Sequence, residues 1–258
     1  MRPSPQLLQP GFLRRSLDEF KRLSRIAIKQ EGIQTPTTPY HLIDFSDPAT
    51  ISACKTMSDI DIGGFSQVSL DYVPKTAEEP AHARFHGTIS IELPPNRPHI
   101  QRTGYAAWRN KDRPPTIFGK ALWDIDPYAF LALRVKSDGR KYFVNVQTES
   151  IVPTDLHQHR LYARRPGEWE TIVIDWNEFV RTNYGAVVEP QTEMLRQKVR
   201  TVGIGLIDRV PGPYDLAISG VWATNRLRDG QTEKDEKAER EEGQTRDGKK
   251  DGAKRRTH

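Results

Sequence analysis

Hydrophobic and polar residues follow a helical period near the start of the chain. The apolar and small residues of one helical face recur three or four positions apart, at Leu13, Leu17, Phe20, Ser24 and Ala27. The run from Ser16 to Glu19 has the form of a capping box, which predicts that a helix begins at Ser16. Gly32 is expected to end this helix.

The remaining surface of this predicted helix is basic. It carries Arg15, Lys21, Arg22, Arg25 and Lys29. A basic amphipathic helix is typical of a segment that rests on an anionic membrane or binds a protein partner. Leu17, Phe20, Arg22 and Arg25 are the candidate residues for this contact. The other interpretation is that the helix packs on its own domain, since most helices bury one face in this way.

From residue 40 to residue 225 the period changes to the alternation of β-strands. Strands are predicted at residues 67–73, 84–93, 104–109, 129–136, 141–148, 160–164, 170–175, 199–207 and 215–222. Turn sequences separate them, for example the tight turn from Ser137 to Arg140. A short helical piece is predicted at residues 191–198. Roughly nine strands with little helix predict an all-β protein, either a sandwich or a barrel.

The positive charge lies mainly at the two ends of the chain. The net charge is +5, but residues 41–225 carry 21 Lys and Arg against 22 Asp and Glu. A domain that neutralises many phosphates concentrates basic residues on its folded surface, so we expect no nucleic-acid partner. Residues 226–258 hold almost no apolar side chain and are predicted to be a disordered, solvating tail. The predicted organisation is an arm (1–39), a β domain (40–225) and this tail.

The single cysteine, Cys54, excludes an intrachain disulfide and a multi-cysteine zinc site, and it fits a reducing compartment. The first seventeen residues contain Arg2, Arg14 and Arg15 and no acidic residue, which favours a mitochondrial presequence. Asp18 follows directly and weakens this pattern.

The chain contains no phosphate-binding loop and no Gly-x-Ser-x-Gly elbow, and we assign no catalytic residue and no cofactor. Histidines share a strand face in two pairs, His82 with His86 and His157 with His159. Without a third ligand at motif spacing, such pairs are usually surface or hydrogen-bonded histidines rather than zinc ligands. A structural calcium ion at a strand end remains an alternative for two acidic pairs, Asp124 with Asp126 and Asp44 with Asp47.

The five tryptophans are the most informative side chains of the β domain. Trp222 shares an alternating face with Leu216 and Ile218 and is expected in the core. Trp108 is followed in the sequence by several cationic residues, so we expect its side chain to be exposed and to bind a partner together with them. These candidates are Trp108, Arg109, Lys111 and Arg113.

Several segments, taken in order, resemble the family of complex I intermediate-associated protein 30, an assembly factor of mitochondrial NADH:ubiquinone oxidoreductase. They are SDIDIGGFS at 58–66, GYAA at 104–107, LRVKSDGRKY at 133–142, EWET at 168–171, VGIGL at 202–206 and YDLAI at 214–218. Each is a strand with its turn, and their order and spacing together are what make the resemblance specific. The charged tail has no place in this pattern.

The resemblance implies a galactose-binding-like jelly-roll sandwich on the matrix side of the mitochondrial inner membrane. It implies a non-catalytic role in complex I assembly, with other assembly factors and membrane-arm intermediates as partners. Within its first segment, Gly63 and Gly64 are expected to allow positive φ angles, and Asp59 is expected to cap the turn.

A carbohydrate-binding module is the alternative function, because the same sandwich can hold sugars on exposed aromatic rings. It requires at least two exposed, coplanar rings, for which Trp108 and Trp123 are the candidates.

Overall fold

A computed structural model describes residues 11–29, 36–150 and 152–226, with side chains in the first segment as far as Ser24. The first ten residues of the predicted presequence, the expected helix stop at Gly32 and the predicted tail after Arg226 lie outside the described residues. So do the side chains of Arg25 and Ala27.

Two helices and thirteen strands form in this part of the chain. The helices are α1 (Phe12–Lys29) and α2 (Ala49–Ser52). The strands are β1 (Tyr40–Asp44), β2 (Cys54–Ser58), β3 (Gln67–Val73), β4 (His82–Ile89), β5 (Ala106–Asn110), β6 (Phe130–Ser137), β7 (Tyr142–Thr148), β8 (Asp155–Arg160), β9 (Trp169–Asp175), β10 (Val180–Asn183), β11 (Ala186–Val187), β12 (Val199–Leu206) and β13 (Gly212–Thr224).

The strands form two sheets that pack face to face. One sheet has the order β3-β4-β13-β6-β9, with β1 also paired to β13, and the other has the order β11-β10-β8-β7-β12-β5-β2. Alternation explains the packing: in β7 Tyr142, Val144 and Val146 point into the core, while the residues between them are partly exposed. The predicted all-β sandwich is therefore confirmed.

A bulge in β13 changes which of its side chains face the core. The pairing with β6 shifts register between Ile218 and Gly220, and such a shift reverses the two faces of a strand. Leu216 and Ile218 are buried before the shift, and Val221 is buried after it. Trp222 is consequently partly exposed and lies against His41, so its predicted core position is wrong.

Other local predictions also need correction. The strand predicted at 160–164 is instead Asp155–Arg160, and the helix predicted at 191–198 is a single 3-10 turn, Arg196–Lys198. The predicted capping box is wrong as well, because α1 begins at Phe12. Ser16 lies inside the helix, where its hydroxyl donates a hydrogen bond to the carbonyl oxygen of Phe12 at 2.8 Å.

Candidate interaction surfaces

Helix α1 packs on the β domain through a narrow strip of its surface. Phe12 and Ser16 are buried. The Ser16 hydroxyl accepts a hydrogen bond from the amide of Ile117 at 3.1 Å, which ties the helix to the turn between Thr116 and Gly119. The helix therefore does pack on its own domain, but with a different face from the apolar one that the sequence pattern predicted.

The predicted apolar face of α1 points to solvent instead. Leu13, Leu17 and Phe20 are 75%, 53% and 56% exposed, and Leu23 is also exposed. The neighbouring turn adds two exposed apolar side chains. We call these six residues the arm patch: Leu13, Leu17, Phe20, Leu23, Ile117 and Phe118. The sequence analysis did not single out the last two, although a tight turn with two large apolar residues at its tip is a visible signal.

Cations border the arm patch. Arg14 and Lys21 are exposed and lie beside Leu17 on the helical surface, given its period of 3.6 residues. Arg22 is only partly exposed. It forms a two-pronged ion pair with Glu19, whose shorter distance is 2.8 Å, and this pair raises the pKa of Arg22. Of the candidate contact residues, Leu17 and Phe20 thus belong to the patch, while Arg22 is paired with Glu19 of the same helix.

The expected exposure of Trp108 is wrong. Its side chain is 1% exposed, because Trp108 alternates with Ala106 on the inner face of β5 and packs edge-on against Phe45 at 5.5 Å between ring centroids. The cations that suggested a polar environment lie on the other face of β5 or in the following loop.

Each of these cations already has partners within the protein. Arg109 donates to the carbonyl oxygen of Asn110, and the ammonium of Lys111 donates to that of Ser52 at 2.8 Å. The guanidinium of Arg113 lies 4.6 Å from the centre of the Trp123 ring, and burial lowers the pKa of Arg113. A partner-binding role for the three cations stays a prediction.

The tryptophans proposed for sugar stacking are buried. Trp123 is 4% exposed and Trp108 is 1% exposed, so these two rings cannot form a platform on the surface. Trp176 is buried as well, while Trp169 and Trp222 are partly exposed.

Asp59 organises the first segment of the family resemblance from inside the protein. Its carboxylate is fully buried and accepts hydrogen bonds from the amide and hydroxyl of Ser66, both at 2.8 Å, and from the amide of Gly104 at 2.6 Å. Gly63 has the positive φ that was expected, at 93°. Gly64 does not, and it instead leaves room for Asp59.

The candidate metal ligands are used in other ways. His82 contacts the carbonyl oxygen of Pro80 at 2.8 Å, and His86 contacts Asp71 at 2.6 Å. His157 and His159 point toward the core, where burial lowers the pKa of both.

The acidic pairs mainly stabilise turns. Asp124, Asp44 and Asp47 each accept a hydrogen bond from a backbone amide two residues later. Asp126 contacts Arg196 at 3.4 Å. Within the described ranges, no three His, Cys, Asp or Glu side chains are grouped so that they could hold a metal ion.

The fold is a jelly-roll β-sandwich. It is similar to the family 11 carbohydrate-binding module from Clostridium thermocellum in complex with a mixed-linked tetrasaccharide, with a TM-score of 0.51, 14% identity and coverage of 74% of this chain and 98% of the other. A second structure, the family 11 module of the cellulase Lic26A-Cel5E, gives a TM-score of 0.52 with 13% identity over 74% of this chain and 96% of the other. At such low identity the likeness concerns the fold alone.

The sequence comparisons define the family. The sequence model of complex I intermediate-associated protein 30 matches residues 43–218. The mitochondrial complex I intermediate-associated protein 30 of Neurospora crassa is 52% identical over 243 residues, which is 87% of each chain. The protein of that name from Mus musculus is 30% identical over 62% of this chain and 48% of its own length. This chain belongs to the complex I intermediate-associated protein 30 family, as its sequence segments indicated.

Proposed function

We propose that this protein is a non-catalytic assembly factor of mitochondrial respiratory complex I. It acts on the matrix side of the inner membrane, where it binds membrane-arm assembly intermediates together with other assembly factors. The observation that carries this proposal is the match to proteins named for their association with complex I intermediates, which extends over most of the sandwich.

Binding rather than catalysis is supported by the chemistry of the described residues. Burial raises the pKa of the Cys54 thiol to about 11, so this cysteine is a poor nucleophile at neutral pH. The buried carboxylates have structural partners: Asp59 binds Ser66 and Gly104, and Glu170 accepts hydrogen bonds from the amides of Arg164 and Arg165.

Peripheral association with the membrane is supported by the arm patch. Its apolar side chains come from a helix and a turn that are joined through Ser16, and exposed Arg14 and Lys21 lie along its border. An apolar stripe beside cations fits the interface of an anionic lipid bilayer, where the apolar groups enter the acyl boundary and the cations remain near the headgroups. None of the described helices is long and apolar enough to cross a membrane.

Deletion of the gene and native gel electrophoresis test the assembly role. We expect the deletion strain to lose assembled complex I and to regain it when the full chain is restored. We expect the tagged protein to co-migrate with membrane-arm subunits. A deletion strain with a normal content of complex I would contradict the proposal.

Flotation with lipid vesicles tests the role of the arm patch. The full chain should float with phosphatidylcholine vesicles that contain phosphatidylglycerol, and much less with phosphatidylcholine alone. Leu17→Glu and Phe20→Glu should abolish flotation, because each places a charge in the apolar contact. Val187→Glu is the matched control, since Val187 is 60% exposed on β11. Equal flotation of all these variants would disprove membrane contact through the patch.

A further inference from the structure

A cleft of about 530 Å³ opens between two loops of the sandwich. One loop joins β6 to β7 and the other joins β12 to β13. The cleft continues onto the outer face of the seven-stranded sheet, where Phe143 of β7 lies opposite Arg160 of β8. The turn from Ser137 to Arg140 forms part of its wall, but none of the candidate binding residues predicted from the sequence lines it.

Arg140 makes one wall of the cleft rigid. Its guanidinium binds both carboxylate oxygens of Asp208, at 3.1 and 2.8 Å, and it donates to the carbonyl oxygens of Gly212 and Pro213 at 3.1 and 2.9 Å. Asp208 is the one acidic residue among the described residues that line the cleft, and this pair neutralises its charge. Arg140 is therefore a structural residue of the wall, and its charge is not left for a ligand.

Arg160 and Lys141 provide the remaining positive charge. The Nε atom of Arg160 is buried, and no described residue accepts a hydrogen bond from it. The Tyr162 ring lies 5.0 Å from the Arg160 guanidinium and limits its orientation. Lys141 is exposed and lines the same cleft. Arg160 is partly exposed, and no described acidic side chain forms an ion pair with it, so an anionic group supplied by a ligand would stabilise its charge.

The surroundings favour a carboxylate next to an apolar group over a phosphate. Phosphate sites commonly use free backbone amides. Here the amides of Gly139, Arg140 and Val210 already donate to side chains, at 3.1, 2.9 and 3.1 Å. The rim of the cleft is apolar, with Val210 54% and Ile207 40% exposed. An acidic side chain with an apolar neighbour matches both features.

We propose that this cleft binds an acidic segment of a protein partner. A Glu or Asp side chain of the segment pairs with Arg160 and Lys141, and an adjacent apolar side chain packs on Val210 and Ile207. The assignment rests on the proposed protein-binding function, for which it names the kind of partner. It does not depend on the arm patch, which is built from other residues.

Selection from a displayed library of random peptides, on the immobilised full-length protein, tests the proposal. We expect the selected peptides to carry Asp or Glu next to a bulky apolar residue. A labelled peptide of the selected sequence should bind Arg160→Gln and Lys141→Gln at least roughly fivefold more weakly than the wild type. Its affinity should fall as salt is raised, because the contact is between charges.

Lys75→Gln is the matched control, because Lys75 is an exposed cation next to the other sheet and outside the cleft. It should bind the peptide as the wild type does. Thermal unfolding verifies that each variant is folded, and Lys141→Gln carries the test if Arg160→Gln is not folded. Failure to select peptides, selection of peptides without acidic residues, or unchanged affinity of the folded cleft variants would overturn the proposal. If complex I assembly proceeds normally with the protein present but no acidic peptide is selected, the cleft assignment alone fails.

Discussion

The carboxyl group of Asp59 fills the space that a side chain on Gly64 would need. A Cβ atom on Gly64 would lie 2.4 Å from Cγ of Asp59 and 2.7 Å from its Oδ1. Asp59 cannot move aside without losing its hydrogen bonds to Ser66 and Gly104. The pair fixes the turn that leads into β3 and joins it to the segment preceding β5.

We expect Gly64→Ala to destabilise the protein by about 2 kcal/mol or more, because the methyl group forces the buried carboxylate from its place. We expect Asp59→Asn to destabilise the protein by about 2 kcal/mol as well. The carboxylate accepts three hydrogen bonds, and in asparagine the amide group that replaces one of its oxygens cannot accept any of them. The free energy of unfolding, measured in urea, checks both values.

Asp61→Asn is the control for this prediction. Asp61 lies in the same turn but is exposed, so its substitution should change the free energy of unfolding by no more than about 0.5 kcal/mol. A Gly64→Ala variant as stable as the wild type would show that the turn can rearrange around the added methyl group.

The sequence predicts those strands whose inner positions are apolar. The strand β3 was predicted with its observed bounds, and β7 to within one residue. The strand β8 was misplaced because its inward positions are polar, at Asp155, His157 and His159. The side-chain pattern alone therefore gave no sign of a core-facing strand.

Surface sites were harder to predict because they depend on contacts between distant residues. The sequence correctly indicated the apolar face of α1 but not that this face is exposed. The opposite side of the helix is held on the domain by the hydrogen bond between Ser16 and Ile117, which are far apart in the sequence. Trp108 was misread because its cationic neighbours in the sequence do not share its face of β5. The charge of the cleft likewise depends on the pairing of Arg140 with Asp208 across the fold.

Two histidines of β8, the buried His157 and the partly exposed His159, predict sensitivity to acid. Burial lowers the pKa of His157, with a smaller contribution from Arg181, and burial also lowers the pKa of His159. In the unfolded chain both rings bind protons near pH 6.5. The unfolded state therefore takes up more protons below that pH, so the stability present above about pH 6.5 is lost as pH falls.

His157→Gln should reduce this acid sensitivity. Between about pH 6.5 and 5, its free energy of unfolding should fall less than that of the wild type. Urea titrations over this range measure the difference, with His99→Gln as the control because His99 is exposed in a loop. A parallel decline of the wild type and His157→Gln would contradict the prediction.

Cys54 should react slowly with thiol reagents in the folded protein. It is 7% exposed, and burial raises its pKa from about 9 to about 11. At pH 8 this shift alone lowers the thiolate fraction roughly a hundredfold. Absorbance after addition of a disulfide reagent should rise slowly in buffer and quickly in urea. Rapid labelling of the folded protein would show that β2 opens readily.

The hydroxyl of Ser16 should determine whether the two parts of the arm patch act as one surface. It donates to the carbonyl oxygen of Phe12 and accepts from the amide of Ile117, so it connects the helix with the turn that presents Ile117 and Phe118. Ser16→Ala removes both hydrogen bonds and leaves the Ile117 amide without its acceptor, at a cost of about 1 kcal/mol. Hydrogen exchange measured by mass spectrometry should then show faster exchange in the peptide that contains Ile117. Vesicle flotation should weaken, because the turn that presents Ile117 and Phe118 is no longer tied to α1. Ser24→Ala, on the same helix, should change neither measurement. If exchange around Ile117 in Ser16→Ala matches the wild type, helix α1 is held on the sandwich by the packing of Phe12 rather than by this hydrogen bond.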